Sequence, residues 1–163
     1  YGGEMKNVLK EVTVLTKEGE VLVIPAKALE LGYRTSVIPK NGWIVLGAVL
    51  QLKKGDQEQI LARMEELKEQ RITKQPLDLP SAGSTFKRPE GYFAGKLIMD
   101  SGLAGYQVGG AQVSEKHCGF VINAGGATAR DVRTLMDNVR DIVYKKYGVT
   151  LEPEVKFLGD FEA

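Results

Sequence analysis

The order of apolar and polar residues divides the chain into a strand-like first part and a more helical second part. Residues 8–15 and 20–24 are rich in Val, Leu and Ile and read as two strands. Lys17-Glu18-Gly19 between them reads as a hairpin turn, with glycine where a positive φ is needed. Residues 25–31 have room for one or two helical turns. Residues 42–53 predict a third strand, and so apolar a run is expected at the centre of a sheet.

Gly55-Asp56 then opens a helix, with Asp56 as cap and Gln59 as its capping-box partner. Ile60, Leu61, Met64 and Leu67 give that helix one apolar face. Residues 72–88 read as irregular, 94–101 as helix, 102–110 as glycine-rich loop and 119–123 as a short strand. The clearest helix comes next: Val132, Leu135, Met136, Val139, Ile142 and Val143 recur at helical spacing. Thr128 and Asp131 form its capping box, and Gly148 ends it. Residues 151–158 read as a last strand, interrupted by Pro153. The fold class is therefore α+β, with a sheet-rich piece to about residue 54 and a mixed piece from about residue 75.

Composition narrows the function. The 163 residues carry 22 basic and 21 acidic side chains, a net charge of +1 that gives bulk electrostatics no grip on nucleic acid. No apolar run has the length of a membrane-spanning helix. The one cysteine, Cys118, precludes an internal disulfide and fits a reducing compartment. The chain opens Tyr1-Gly2-Gly3-Glu4 without an initiator methionine and reads as a piece of a longer protein.

Two familiar motifs fail. Gly91-Tyr-Phe-Ala-Gly95-Lys96 is one residue short of a phosphate loop, and Leu97 replaces the magnesium-binding Ser or Thr. His117-Cys118 has no second His or Cys to complete a metal site. Neighbours on a strand point to opposite faces, which also argues against a Cys-His nucleophile.

The segment Pro80-Ser-Ala-Gly-Ser84-Thr-Phe-Lys87-Arg-Pro89 stands apart. It sets a hydroxyl among small residues, with two cations just after it. Taken alone it is also what an ordinary Ser/Gly turn looks like. Its companions decide: Ala94-Gly-Lys-Leu-Ile98, Gly109-Gly-Ala-Gln-Val-Ser114 and Leu151-Glu-Pro-Glu-Val-Lys156 come after it in order, and Tyr1-Gly-Gly-Glu4 and Leu31-Gly-Tyr-Arg34-Thr-Ser36 precede it. Together they resemble the UDP-N-acetylenolpyruvoylglucosamine reductase family of bacterial peptidoglycan precursor synthesis, over essentially the whole chain. The short run after Arg34 resembles the branch that lacks an extra tyrosine-bearing loop.

The resemblance implies a cytoplasmic flavoenzyme in which NADPH reduces FAD and the flavin reduces the enolpyruvyl double bond of UDP-N-acetylglucosamine enolpyruvate. By resemblance, Ser84 is the proton donor, Arg34 stabilises the substrate carboxylate, and Glu154 hydrogen-bonds that carboxylate and shares its proton. A serine is so weak an acid that it protonates only a strongly basic centre within hydrogen-bond reach, and an enolate is one. A guanidinium's forked donors suit a carboxylate that gains charge. Tyr1 and Tyr33 match substrate-binding positions, Lys74 lies where a diphosphate-contacting lysine is expected, and Lys87, also assigned to substrate binding, is close enough in sequence to add positive potential. Arg88 and His117 occupy two further binding positions, where other members carry Asn and Gln, and so depart from the family pattern. No metal is expected.

The resemblance also sets the expected domains: residues 1–55 as the remainder of the second FAD-binding domain, 56–74 as a connecting helix and linker, and 75–163 as the substrate-binding domain. The missing partner is the N-terminal FAD-binding region, so the chain alone is expected not to turn over. Two rivals remain: a nucleotide-sugar-binding module without catalysis, and a generic α+β interaction domain.

Overall fold

The computed structural model describes residues 2–159, which divide after Met64 into two compact units. The first is built on β1 (Leu9–Leu15) and β2 (Val21–Pro25), joined by a turn in which Gly19 has φ +84°. A short 3-10 turn, Ala26–Leu29, a one-turn helix α1 (Val37–Asn41) and β3 (Ile44–Leu50) complete it. Alternation along β1 buries Val12 and Val14 against Leu29, with Leu31, Val37, Ile38 and Trp43 packed around them. The sheet order is β2-β1-β3, all antiparallel. β3 is thus an edge strand, not the central one its apolar sequence predicts, and all seven of its residues are exposed. An apolar run signals a strand that needs cover on both faces, but does not say which neighbours supply it.

Helix α2 (Gln57–Lys74) starts as expected, with the Gln59 N–H donating to Asp56 Oδ1 at 3.0 Å. Its apolar stripe is not buried: Ile60, Leu61 and Met64 are all exposed.

The second unit is a four-stranded antiparallel sheet in the order β4-β7-β6-β5. It comprises β4 (Ser81–Ser84), α3 (Ala94–Asp100), β5 (Gln107–Val108), β6 (Ala111–Val113), β7 (Phe120–Asn123) and α4 (Ala129–Tyr147). Leu135, Met136, Val139 and Val143 of α4 are buried against Phe86, Ile98, Val113, Val121 and Leu151. Both ends of α4 agree with the sequence, with a full Thr128–Asp131 capping box and Gly148 left-handed at the C-cap.

Three expectations fail here. Residues 72–88 are not irregular throughout, because α2 runs to Lys74 and 81–84 pair with β7. The flanking prolines do not prevent pairing, since the Pro80 carbonyl still accepts from the Asn123 N–H at 2.8 Å. Residues 102–110 are not all loop, because Gln107–Val108 forms a hairpin with Ala111–Val113. Residues 151–158 form no strand, only an isolated bridge from Pro153 to Phe86.

The turn of that hairpin, Gly109-Gly110, sits against the start of α4. A Cβ on Gly110 would overlap the Gly125 carbonyl and the Ala127 N–H, so glycine is required by backbone contact. Gly110→Ala should therefore lower the unfolding free energy by about 1–3 kcal/mol, read from the shift in denaturant midpoint; an unchanged midpoint would contradict this packing.

The capping carboxylate gives a pH signature. The Thr128 backbone N–H, then the Thr128 hydroxyl, hold Asp131 below the usual carboxylate range. A group depressed by folding stabilises above its unfolded value and loses that effect as pH falls through its folded value. The stability advantage over Asp131→Asn should thus be full at neutral pH and shrink below about pH 4. An advantage independent of pH would be inconsistent with a charged cap.

Candidate active site

The second unit brings Ser84, Lys87 and Glu154 onto adjoining segments. Past β4 the chain stays extended through residues 85–87, between β7 and residues 152–154. On one side the Thr85 N–H donates to the Gly119 carbonyl at 2.8 Å. On the other, the Glu154 N–H donates to the Thr85 carbonyl at 2.9 Å and the Lys87 N–H to the Glu152 carbonyl at 2.8 Å. Phe86 and Leu151, both buried in the same core, anchor the two segments. Arg140 of α4 adds a hydrogen bond from Nε to the Leu151 carbonyl at 3.1 Å. In this register Glu154 lies opposite Thr85, one residue along from Ser84. Ser84 is exposed and Glu154 half-buried.

Ser84 is not on a turn but comes after a bulge. Ser81 pairs with Ile122 and Ser84 with Phe120, so β4 spends one residue more than β7. Gly83 absorbs the excess at φ +90°, a conformation that favours glycine. A cavity of 370 Å³ borders the bulge, lined by Ser81, Ala82, Thr85, Val121, Met136 and Val155 among others.

The cations have partners. Lys87 Nζ pairs with Glu152 Oε1, so the glutamate before Pro153 neutralises the lysine expected to face the substrate. Arg88 donates from Nε to the Tyr92 carbonyl at 3.2 Å, and its guanidinium lies 3.9 Å from the centroid of Phe93. Lys74 is exposed in the last turn of α2, where Lys116 Nζ also donates to the Ile72 carbonyl at 2.8 Å. Cations suit a helix C-terminus, so Lys74 has a structural role available there.

His117 and Cys118 are in the connection before β7, not on a strand. His117 Nδ1 accepts from the Gly119 N–H at 3.1 Å, and its ring stands edge-on to Phe120 at 5.0 Å. Burial pushes the Cys118 thiol up, which disfavours a nucleophilic thiolate.

Tyr33 and Arg34 belong to the first unit. They form the tip of a tight turn closed by Gly32 and Thr35, whose backbones exchange hydrogen bonds at 3.1 and 3.3 Å. Arg34 takes φ +54°, the left-handed region, and its guanidinium lies 5.8 Å from the Tyr33 ring centroid. The Ser36 hydroxyl then accepts from the Ile38 N–H and starts α1. A groove of 580 Å³ runs beside this turn, lined by Glu4, Lys6, Tyr33, Arg34 and Ser36 among others. Tyr1 lies outside the described residues.

Sequence reasoning missed Thr85. It is buried, and its backbone N–H, carbonyl and hydroxyl are all engaged. The available signal was a threonine next to Phe86, where strict alternation would bury only one of them.

The second unit is thus an α+β fold that carries Ser84 on a bulged edge strand and Glu154 on the segment alongside it. Residues 75–158 match the family model of the UDP-N-acetylenolpyruvoylglucosamine reductase C-terminal domain. The chain belongs to that family. The reductase of that name from Lachnoclostridium phytofermentans is 63% identical over 160 residues, 98% of this chain and 52% of the relative. That from Agathobacter rectalis is 58% identical over 161 residues, 99% of this chain and 51% of the relative. The crystal structure of UDP-N-acetylenolpyruvylglucosamine reductase from Thermus caldophilus superposes with a TM-score of 0.79 at 38% identity, over 93% of this chain and 54% of that one. The chain thus spans about half the length of the curated relatives it matches.

The strain at Arg34 can be isolated by two truncations. Arg34→Gly and Arg34→Ala remove the same side chain, but only alanine must still bear the positive φ. The glycine variant should be more stable by about 1–2 kcal/mol, read by chemical denaturation; equal stabilities would contradict the left-handed turn.

Proposed function

We propose that the protein carrying this sequence reduces the enolpyruvyl double bond of UDP-N-acetylglucosamine enolpyruvate to give UDP-N-acetylmuramate, in peptidoglycan precursor synthesis in the bacterial cytoplasm. In this reading residues 1–55 are the remainder of the second FAD-binding domain, 56–74 a connector, and 75–163 the substrate-binding domain. NADPH-reduced FAD would supply the hydride. The observation that carries the reading is an exposed Ser84 hydroxyl, set out by a bulge on the strand segment that pairs with Glu154.

Neither long helix offers its N-terminus to the pyrophosphate of a dinucleotide. Both long helices begin with a carboxylate, Asp56 on α2 and Asp131 on α4, where a phosphate would need bare N–H groups. The residues assigned to the reaction below are side chains that meet the nucleotide sugar.

After reduction at one alkene carbon, the carbon next to the carboxylate is carbanion-like and strongly basic. Ser84 Oγ–H delivers its proton there, and the alkoxide recovers one from solvent. Arg34 holds the carboxylate on which charge accumulates, with a strained backbone typical of residues kept for their position. Glu154 hydrogen-bonds the same carboxylate. Tyr33, Lys74, Lys87, Arg88 and His117 serve binding in this reading, with Tyr1 assigned by resemblance alone. Lys74 contacts the diphosphate in this reading; Lys87 lends its charge to the substrate only by leaving Glu152, and Arg88 and His117 contact it only by loosening their present contacts.

Ser84→Ala in the whole reductase should leave UDP-N-acetylmuramate affinity intact and slow turnover by about 10²–10⁴-fold. Calorimetric titration and steady-state NADPH oxidation read the two effects. Unimpaired turnover would remove Ser84 as the donor.

A further inference from the structure

We propose that Phe93, with Arg88 laid on one face of its ring, is the platform on which the uracil base of the nucleotide sugar stacks. The inference deepens the proposed function and rests on the substrate being a uridine diphosphate sugar that meets Ser84.

The platform is built on a short, closed stretch of chain. Pro89 follows Arg88 and keeps it extended. The Tyr92 N–H then donates to the Pro89 carbonyl at 3.1 Å, and Gly91 at φ +74° supplies the left-handed residue that this turn needs. Arg88 Nε–H reaches across to the Tyr92 carbonyl at 3.2 Å. Its guanidinium lies over the Phe93 ring, 3.9 Å from the centroid. Ring and cation hold each other in one arrangement, which a planar guanidinium achieves and an ammonium does not.

Phe93 is nonetheless 59% exposed, and its neighbour Tyr92 is 47% exposed. A single exposed aromatic is ordinary. A ring fixed against a cation on one face, with more than half of the residue open to solvent, offers its other face to a second flat partner. Nucleobases take such faces readily, because every base has a π-face.

Position selects uracil as that partner. In the nucleotide sugar the diphosphate and ribose separate the reacting alkene from the base, so the base cannot sit beside the proton donor. The rise of an extended chain puts Arg88 about 13 Å from Ser84. Lys87 lies between them, on the segment that pairs with residues 152–154. From Ser84 to Arg88 the chain thus follows the order of the substrate: a hydroxyl for the alkene, a cation for the diphosphate, a ring for the base. Arg88 serves the substrate through Phe93, a role that keeps its present contacts.

The test uses the whole flavin-loaded reductase with Phe93→Ala, Phe93→Leu and Phe93→Trp, titrated by calorimetry with UDP-N-acetylmuramate and with UDP. Phe93→Ala should weaken both ligands by about 10–100-fold. Phe93→Leu keeps apolar bulk without a π-face and should be weakened nearly as much. Phe93→Trp should bind at least as tightly as the parent. Fluorescence gives a readout that a structural role would not move. The indole introduced by Phe93→Trp should be quenched by UDP and by uridine, but not by inorganic pyrophosphate. The parent supplies the background, since its one tryptophan, Trp43, belongs to the first unit. Arg88→Lys, made in the Phe93→Trp background, keeps the charge without the planar stack and should diminish the quench. Should Phe93→Ala not fold, the quench in Phe93→Trp carries the test.

Parent-like UDP affinity in Phe93→Ala, full rescue by Phe93→Leu, or an indole indifferent to uridine would overturn the proposal. An undiminished quench after Arg88→Lys would remove the part given to Arg88. If the parent binds UDP-N-acetylmuramate and every variant at Phe93 binds it equally well, only the platform fails. If the parent binds neither ligand, the proposed substrate fails and the platform with it.

Discussion

Three polar groups of one buried residue hold the second unit's candidate site together. The Thr85 N–H reaches Gly119, its hydroxyl receives the Val121 N–H, and its carbonyl receives the Glu154 N–H. The first two fasten the β4 extension to the sheet, and the third adds residues 152–154 along its outer side. Each bond is worth only about 1 kcal/mol net, but a buried partner left unmade costs about 1–3 kcal/mol. That asymmetry makes the junction close to all-or-none. The apolar core supports it from beneath, since Phe86 and Leu151 are both buried against α4. Serine display, glutamate placement and core packing thus share one junction.

The two units differ in how far they bury themselves. The second packs α4 fully against its sheet. Among the described residues, the apolar side chains the first unit buries are Val12, Val14 and Leu29, and it leaves Val21, Val23, Ile44, Val49 and Leu50 exposed. This contrast explains which features were legible in the sequence. Helix α4 and the β1–β2 hairpin depend on neighbours in sequence, through capping, helical spacing and a positive-φ glycine. The edge place of β3 depends on pairing with β1, which its own composition does not encode. β4 was hidden for a related reason: Ser-Ala-Gly-Ser has poor strand propensity and is held by Val121, 36 residues beyond Thr85.

The candidate site was legible in a similar, partial way. The order of motifs singled out Ser84, Arg34 and Glu154, but nothing in the spacing brings residue 154 beside residue 84. The Thr85–Glu154 hydrogen bond does that, and it is visible only once both segments are folded. Glu152, on the other side of Pro153 from Glu154, pairs with Lys87 across the same ladder. Arg34 shows the opposite case. Its residue type suggested a carboxylate partner, while its left-handed backbone, invisible to composition, shows a position held against local preference.

The central claim is that this junction presents Ser84 to the carbon that must be protonated. A crystal structure of the whole reductase with UDP-N-acetylmuramate bound tests it most directly. The account predicts Ser84 Oγ within about 3–3.5 Å of the lactyl carbon that bears the carboxylate, with Glu154 on the carboxylate itself. A product whose lactyl group lies out of hydrogen-bond reach of Ser84, with the β4 bulge unchanged, would contradict it.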